Sequence, residues 1–139
     1  MAKILVVEDN PANMKLAVLL LQKAGYSVLS AMDAEVGLTL AQTEQPDLIL
    51  MDIQLPGMDG LVATALLKRN VATRTIPVIA LTALAMKGDE ERCRSAGCDG
   101  YIAKPLRYQK LLAEIKAQLA KRNYSLYSSM EPSKEESPP

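Results

Sequence analysis

Short, uninterrupted apolar runs alternate along this chain with longer stretches in which apolar residues recur at helical spacing, and this alternation limits the possible folds more than any other feature. Residues 4–7 read Ile-Leu-Val-Val, and similar runs lie within 47–52 and 77–82. Continuous apolar runs of this length are typical of parallel strands that are covered on both faces. We therefore predict five strands, with the second the weakest, at residues 3–8, 27–31, 47–52, 77–82 and 99–103.

A helical pattern follows each predicted strand. Asn10-Pro11 opens the first helix, because proline is tolerated in the first turn, where its missing N–H does no harm. Gly25 is suited to end that helix. Its buried face is predicted from the i, i+3, i+4, i+7 spacing of Met14, Ala17, Val18 and Leu21. The second predicted helix begins at Asp33, includes Val36, Leu40 and Ala41, and stops near Pro46. The third and fourth span about 59–71 and 85–96. The fifth is predicted from the spacing of Leu111, Leu112, Ile115 and Leu119.

Five strands that alternate with five helices imply βαβ units and a doubly wound parallel sheet, an α/β fold. The flavodoxin-like (βα)5 order 2-1-3-4-5 is our prediction, although the pattern alone leaves the Rossmann order open. The first turn reads Glu8-Asp9-Asn10-Pro11, with acids where a dinucleotide-binding chain needs glycines. No Walker-type phosphate loop is present either. The sequence therefore argues against a nucleotide site of these two kinds.

Composition excludes several further classes of function. The 139 residues suit one domain, which we place at 1–122, and residues 123–139 are polar and rich in Ser and Pro, so we expect a flexible tail there. The pattern leaves open whether Tyr124 and Tyr127 extend or flank the last helix. Sixteen basic and sixteen acidic residues cancel, so direct DNA binding is not expected. No apolar run is long enough for a bilayer and the start does not resemble a signal peptide, so a cytoplasmic location is the expectation. Cys93 and Cys98 match no zinc pattern and are expected to be reduced thiols in or near the core.

Polar side chains stand where four of the predicted strands end. Glu8 and Asp9 end the first strand, Asp52 the third, Thr82 the fourth and Lys104 the fifth. Ligands of open parallel sheets bind beyond the carboxyl ends of the strands, so these groups should meet in one pocket. Three carboxylates there would repel one another unless they bound a proton or a hard divalent cation. Together with a lysine and a hydroxyl, they indicate a Mg²⁺-assisted phosphoryl-transfer site.

Each of these residues alone has a plainer explanation. Asp9 alone would be a turn or cap acid, Thr82 a helix cap and Lys104 a solvated surface lysine. The coincidence of suitable groups at four strand ends favours the functional interpretation. Because the chain contains no histidine, a Ser-His-Asp triad and an internal phosphohistidine are both excluded, and any phosphoryl group must come from another molecule.

The sequence resembles bacterial two-component receiver domains over residues 2–120, nearly the whole predicted domain. The resemblance rests on four stretches in order: ILVVEDN at 4–10, PDLILMDIQLPGMDG at 46–60, PVIALTA at 77–83 and GCDGYIAKP at 97–105. Residues 85–92 also resemble single-domain regulators of cell division. A receiver is a signalling switch rather than a metabolic enzyme, and it catalyses only its own phosphorylation and dephosphorylation.

The resemblance implies a role for each site residue. Asp52 would accept the phosphoryl group, and Mg²⁺ would be held by Asp9, Asp52, the backbone carbonyl of Gln54 and, largely through water, Glu8. Lys104 would neutralise charge on the transferred group, next to a cis bond between Lys104 and Pro105.

A second set of implied roles concerns the signal. Thr82 would turn its hydroxyl to the phosphoryl group, and Tyr101 would rotate inward behind it. Gln54 and Leu84 would flank the path of the water that hydrolyses the phosphoaspartate. The implied partners are a histidine kinase or histidine phosphotransfer protein and a downstream protein target, which would contact the fourth helix, fifth strand and fifth helix.

Two alternatives remain open from the sequence. A phosphatase of the haloacid dehalogenase type also uses an aspartate and Mg²⁺, but it needs Asp-x-Asp after its first strand, where this chain has Glu8-Asp9. The other alternative is a receiver-like binding module that works without phosphorylation.

Overall fold

Five parallel strands form a single sheet in the computed structural model, which describes the backbone of residues 2–83 and 88–130 and the side chains of residues 2–83 and 88–123. The strands are β1 (Lys3–Val7), β2 (Ser27–Ala31), β3 (Leu48–Asp52), β4 (Val78–Thr82) and β5 (Gly100–Ala103). They pair in the order β2-β1-β3-β4-β5. This is the predicted flavodoxin-like order, and the Rossmann order is excluded.

Helices connect the strands at nearly the predicted positions: α1 (Pro11–Lys23), α2 (Ala34–Glu44), α3 (Gly60–Arg69), α4 (Asp89–Ala96) and α5 (Tyr108–Met130). The predicted start of α4 at residue 85 lies outside the described residues. None of the helices in the described part of the chain combines the length and apolar character that a bilayer span requires.

The domain boundary at residue 122 and the flexible tail after it stay predictions. The last helix continues past that boundary to Met130 and includes Tyr124 and Tyr127. The physical reason is that no proline or glycine interrupts the chain between residue 108 and Pro132, so nothing breaks the helix where the composition becomes polar. Residues 131–139 of the predicted tail lie outside the described residues.

Side-chain caps begin the first three helices at the carboxyl edge of the sheet. Asn10 Oδ1 accepts a hydrogen bond from the Asn13 N–H, and Asp33 Oδ1 accepts one from the Val36 N–H, at 3.0 and 2.8 Å. Asp59 caps α3 in the same way. These bonds satisfy otherwise unpaired N–H groups and fix where each loop ends.

The core lies on both faces of the sheet, and β1, β3 and β4 are almost completely buried. Helix α2 packs through Ala34, Gly37 and Ala41, while Val36 lies on its exposed side. Gly37 is required there, because a Cβ atom would lie 2.8 Å from a methyl group of Val7.

The two cysteines are free and buried, as predicted. Burial raises the pKa of the Cys98 thiol to about 12. Both thiols therefore belong to the packed core and are not poised as nucleophiles.

Candidate functional site

The strand register brings the predicted residues to one edge of the sheet. Val7 pairs with Met51, so Glu8 and Asp52, the next residues, lie side by side. Asp52 in turn pairs with Leu81, the neighbour of Thr82. The four strand ends therefore surround one pocket, as the parallel arrangement predicts.

Three carboxylates share this pocket. One oxygen each from Glu8, Asp9 and Asp52 lie within 4.8 Å of one another. Glu8 and Asp52 are only 2% and 3% exposed, whereas Asp9 is half-buried at the rim. An oxygen-rich, partly open cluster of this kind offers the ligands that hard divalent cations prefer.

Lys104 contacts two of these acids at once. Its Nζ lies 2.5 Å from Glu8 Oε1 and 3.0 Å from Asp52 Oδ2. Burial by itself lowers the pKa of Lys104, but the hydrogen bonds and charges of Glu8 and Asp52 outweigh this effect and raise it. Lys104 is therefore a firmly protonated cation between two buried carboxylates.

The surroundings of Glu8 raise its affinity for a proton. Burial and then its hydrogen bond with Asp52 raise the pKa of Glu8, while Lys104 and the Asn10 N–H act in the opposite direction. The net upward direction of the Glu8 pKa means that Lys104 does not fully offset burial and the neighbouring Asp52. The pocket therefore favours a further positive charge, either a proton or a cation.

Asp52 is oriented by the turn that follows it. The Gln54 N–H donates to Asp52 Oδ1 at 2.9 Å. Gly60, the first residue of α3, approaches so closely that a Cβ atom would lie 2.1 Å from the Asp52 carbonyl oxygen. Gly60 was not among the predicted site residues, and the only signal for it in the sequence is a glycine at a helix start eight residues after Asp52.

Thr82 and Tyr101 lie on the β4 and β5 side of the pocket. Thr82 is completely buried, and its carbonyl accepts a 2.7 Å hydrogen bond from the Lys104 N–H. Tyr101 is half-buried, packs against the core and lines a groove of about 570 Å³ between α4 and α5. The bond between Lys104 and Pro105 is cis, as predicted. Leu84, expected to flank a water path, lies outside the described residues.

A family model described as "Response regulator receiver domain" matches residues 4–116, most of the chain. The chain belongs to the response-regulator receiver family. The polar-differentiation response regulator DivK of Brucella anthropi is 48% identical over 116 residues, which cover 84% of this chain and 94% of that relative. The resemblance to single-domain regulators is thus confirmed.

Solved receiver structures share the fold. A CheY-like receiver domain protein from Methanospirillum hungatei superposes with a TM-score of 0.83 at 30% identity, covering 90% of this chain and 98% of that one. The receiver domain of a sensor histidine kinase from Pseudomonas aeruginosa, whose active-site cleft coordinates magnesium, gives a TM-score of 0.80 at 37% identity and covers 86% and 98%.

The family defines the kind of function. This chain is a response-regulator receiver, a phosphorylation-activated signalling switch of a two-component system. Receivers of this family interact with histidine kinases or phosphotransfer proteins and with downstream targets. The haloacid dehalogenase alternative is not supported, since the chain matches the receiver family along most of its length.

Proposed function

We propose that Asp52 is the phosphoryl acceptor and that the donor is a phosphohistidine on a histidine kinase or histidine phosphotransfer protein. The observation that carries this proposal is the position of the Asp52 carboxylate, which is buried and 3.0 Å from the Lys104 ammonium within a three-carboxylate cluster. In the step itself, the N–P bond of the donor breaks as a bond forms between phosphorus and an Asp52 oxygen. The donor imidazole leaves with the electron pair of the N–P bond, and its nitrogen takes up a proton from solvent.

The residues of the pocket fit Mg²⁺. Glu8, Asp9 and Asp52 would hold it with the backbone carbonyl of Gln54, and Glu8 would act largely through a bound water. The raised pKa of Glu8 supports this proposal, because burial and then the neighbouring Asp52 disfavour its negative charge more than Lys104 favours it. When bound, Mg²⁺ would neutralise charge on the phosphoryl oxygens.

Lys104 would stabilise the transferred group by moving part of its contact from the carboxylates to a phosphoryl oxygen. Its ammonium already lies 3.0 Å from Asp52 Oδ2, so this change of partner requires only a small displacement of the side chain. Thr82 would follow with its hydroxyl, and Tyr101 would turn inward. The changed groove between α4 and α5 would then present a different surface to a downstream protein.

Signal output in this proposal is protein contact, without direct binding of DNA or membrane. Catalysis is confined to the formation and hydrolysis of the chain's own phosphoaspartate. A phosphorylation-independent binding module is the competing possibility, and it requires no acceptor chemistry at Asp52.

Intact-mass measurement after incubation with acetyl phosphate tests the proposal. The wild type should gain one phosphoryl group only when Mg²⁺ is present, and Asp52→Asn should gain none. Asp33→Asn is a matched control at the same edge, because asparagine still caps α2. A wild type that binds Mg²⁺ and gains no adduct would favour the phosphorylation-independent module.

A further inference from the structure

Strand β2 forms one edge of the sheet, and alternate main-chain groups of this strand point away from the fold. The Ser27 N–H donates to a carbonyl next to the start of β1, and the Ala31 carbonyl accepts from the Glu8 N–H, both at 3.0 Å. Successive residues of a strand direct their N–H and C=O groups to opposite sides. Because Ser27 and Ala31 both bond towards β1, the groups of Val28 and Ser30 point to the open side.

This open edge has no visible protection. Within residues 2–83 and 88–123, no hydrogen bond reaches the outward N–H and C=O groups of Val28 and Ser30. Native edge strands commonly carry a charge, a proline or a bulge that prevents further pairing. The strand reads SVLSA and pairs with β1 in continuous register, so it has none of the three. The other edge strand, β5, is followed at once by Lys104 and Pro105.

Helix α1 forms one wall beside the open edge. It contacts β2 on one face of the sheet. Leu16 shares a cleft with Pro105 and Leu106, so its flank of α1 faces α5. Helical spacing places Lys15 and Val18 on the opposite flank, next to the edge of β2. Val18 is half-buried, and the exposed Lys15 forms no ion pair with any residue that the structure describes.

Helix α2 forms the second wall, on the other face of the sheet. Gln45, just after this helix, donates to the Ala72 carbonyl, so that flank faces the end of α3. Val36 and Leu40 fall on the opposite flank by helical spacing, beside β2. Val36 is 45% exposed and Leu40 is half-buried. The open main-chain groups therefore lie between two walls that each offer apolar side chains.

A second copy of this chain does not suit the edge. Two copies joined edge to edge by a two-fold axis would place α1 beside α1 and α2 beside α2. Helix α1 carries two lysines and no acid, and α2 carries two glutamates and no base, so both contacts would bring like charges together. Residues 131–139 of the chain are also unsuited, because three of the nine are prolines.

We propose that the open edge of β2 binds an extended segment of a partner protein, which adds a sixth strand to the sheet. The segment would bond to the main-chain groups of Val28 and Ser30. Its side chains would alternate between the two walls, with apolar residues against Val36 and polar or acidic residues towards Lys15. This surface is distinct from the acceptor pocket and from the groove between α4 and α5, so the chain could hold this partner together with another.

The test uses a fluorescein-labelled peptide, EVTVEVT, in which valines form one face and threonine and glutamate the other. Two derivatives carry N-methyl groups on the odd or on the even amides. An added strand pairs through only one of these sets, so one derivative should lose binding to the full chain and the other should retain it. Fluorescence anisotropy measures the affinities. The peptide KVTVKVT should bind several-fold more weakly at low salt, because its lysines would face Lys15.

Ser30→Pro removes an outward N–H, a change that an edge strand tolerates because no ladder bond is lost. Ser30→Ala keeps this N–H and is the matched control. The proline variant should bind EVTVEVT about tenfold or more weakly, and the alanine variant should bind it like the wild type. Amide hydrogen exchange should show that the peptide protects Val28 and Ser30. The N-methyl comparison on the wild type decides the question even if Ser30→Pro does not fold.

Three results would overturn the proposal. The first is loss of binding in both N-methyl derivatives or in neither, since side-chain contact alone would then explain any affinity. The second is equal affinity of Ser30→Pro and Ser30→Ala when both are folded by circular dichroism. The third is a wild-type dimer in sedimentation that disappears in Ser30→Pro, which would assign the edge to a second copy of the chain.

Discussion

Lys104 and Glu8 are 96 residues apart in the sequence, yet the Lys104 ammonium lies 2.5 Å from Glu8 Oε1. The same ammonium also reaches Asp52 Oδ2. Lys104 thus supplies part of the positive charge beside Glu8 and Asp52 that a divalent cation would otherwise supply. The lysine and a metal ion therefore compete for the same carboxylates, while both favour an incoming phosphoryl group.

Lys104→Met should separate these two effects. We expect Mg²⁺ affinity to increase several-fold, because a competing positive charge is removed from Glu8 and Asp52. Phosphorylation by acetyl phosphate should nevertheless slow by about tenfold or more, because the transferred group loses a stabilising cation. Calorimetric Mg²⁺ titration and a mass-based phosphorylation rate measure the two quantities, with the exposed Lys116→Met as the control. Weaker Mg²⁺ binding in Lys104→Met would contradict the competition.

The raised pKa of Glu8 predicts how Mg²⁺ binding depends on pH. Because the folded-state pKa lies above the ordinary value of 4.5, protonated Glu8 contributes stability below that value, and this contribution is lost as pH rises through the folded pKa. Mg²⁺ binds the ionised form, so its affinity should fall by up to about tenfold per pH unit below the folded pKa. The Mg²⁺-induced increase in Tm should thus be larger at pH 8 than at pH 5.

Replacement of Glu8 by glutamine provides the control for this pH effect. Glu8→Gln cannot titrate, so its Mg²⁺ affinity should be weaker than that of the wild type and should vary less between pH 5 and pH 8. An unchanged pH profile in the variant would place the titrating group elsewhere.

Replacing Lys68 should change the stability of the fold and leave the acceptor site unchanged. Its Nζ donates to the Ile76 carbonyl and to Asp99 Oδ2, both at 2.8 Å, and so ties α3 to the starts of β4 and β5 at the edge opposite the pocket. Lys68→Met should lower the free energy of unfolding by about 1–2 kcal/mol. Urea denaturation measures the loss, and phosphorylation of the folded variant by acetyl phosphate should keep the wild-type rate. A slowed reaction would show that this brace also shapes the acceptor site.

The strand ends explain why so much of the site could be predicted from the sequence. A parallel sheet places the carboxyl ends of its strands at one edge, so Glu8, Asp52, Thr82 and Lys104 meet whatever the details of the loops. The partnership of Lys104 with Glu8 could not be predicted, because it depends on side-chain distances between segments that are far apart in the chain. The end of α5 at Met130 could not be predicted for a different reason, since composition indicates solubility more directly than it indicates where a helix ends.

Gly60 shows the same limit most clearly. Sequence periodicity carries no information on how closely the start of α3 approaches the backbone of Asp52, and only the structure shows that a Cβ atom would lie 2.1 Å from that carbonyl oxygen. Gly60→Ala must therefore displace α3 or the acceptor strand end. Although alanine favours helices, the clash should dominate and destabilise the fold by about 1–3 kcal/mol.

The displacement should also reach the chemistry, because Asp52 carries the acceptor carboxylate. We expect Gly60→Ala to slow phosphorylation by acetyl phosphate even at temperatures where the variant remains folded. Gly57→Ala is the matched control in the same turn: its φ of +74° makes alanine unfavourable, but no atom lies within 4 Å of the added Cβ. That variant should lose stability and keep its phosphorylation rate once folded. Equal rates in the two variants would mean that the contact of Gly60 with Asp52 supports the fold alone and does not position the acceptor.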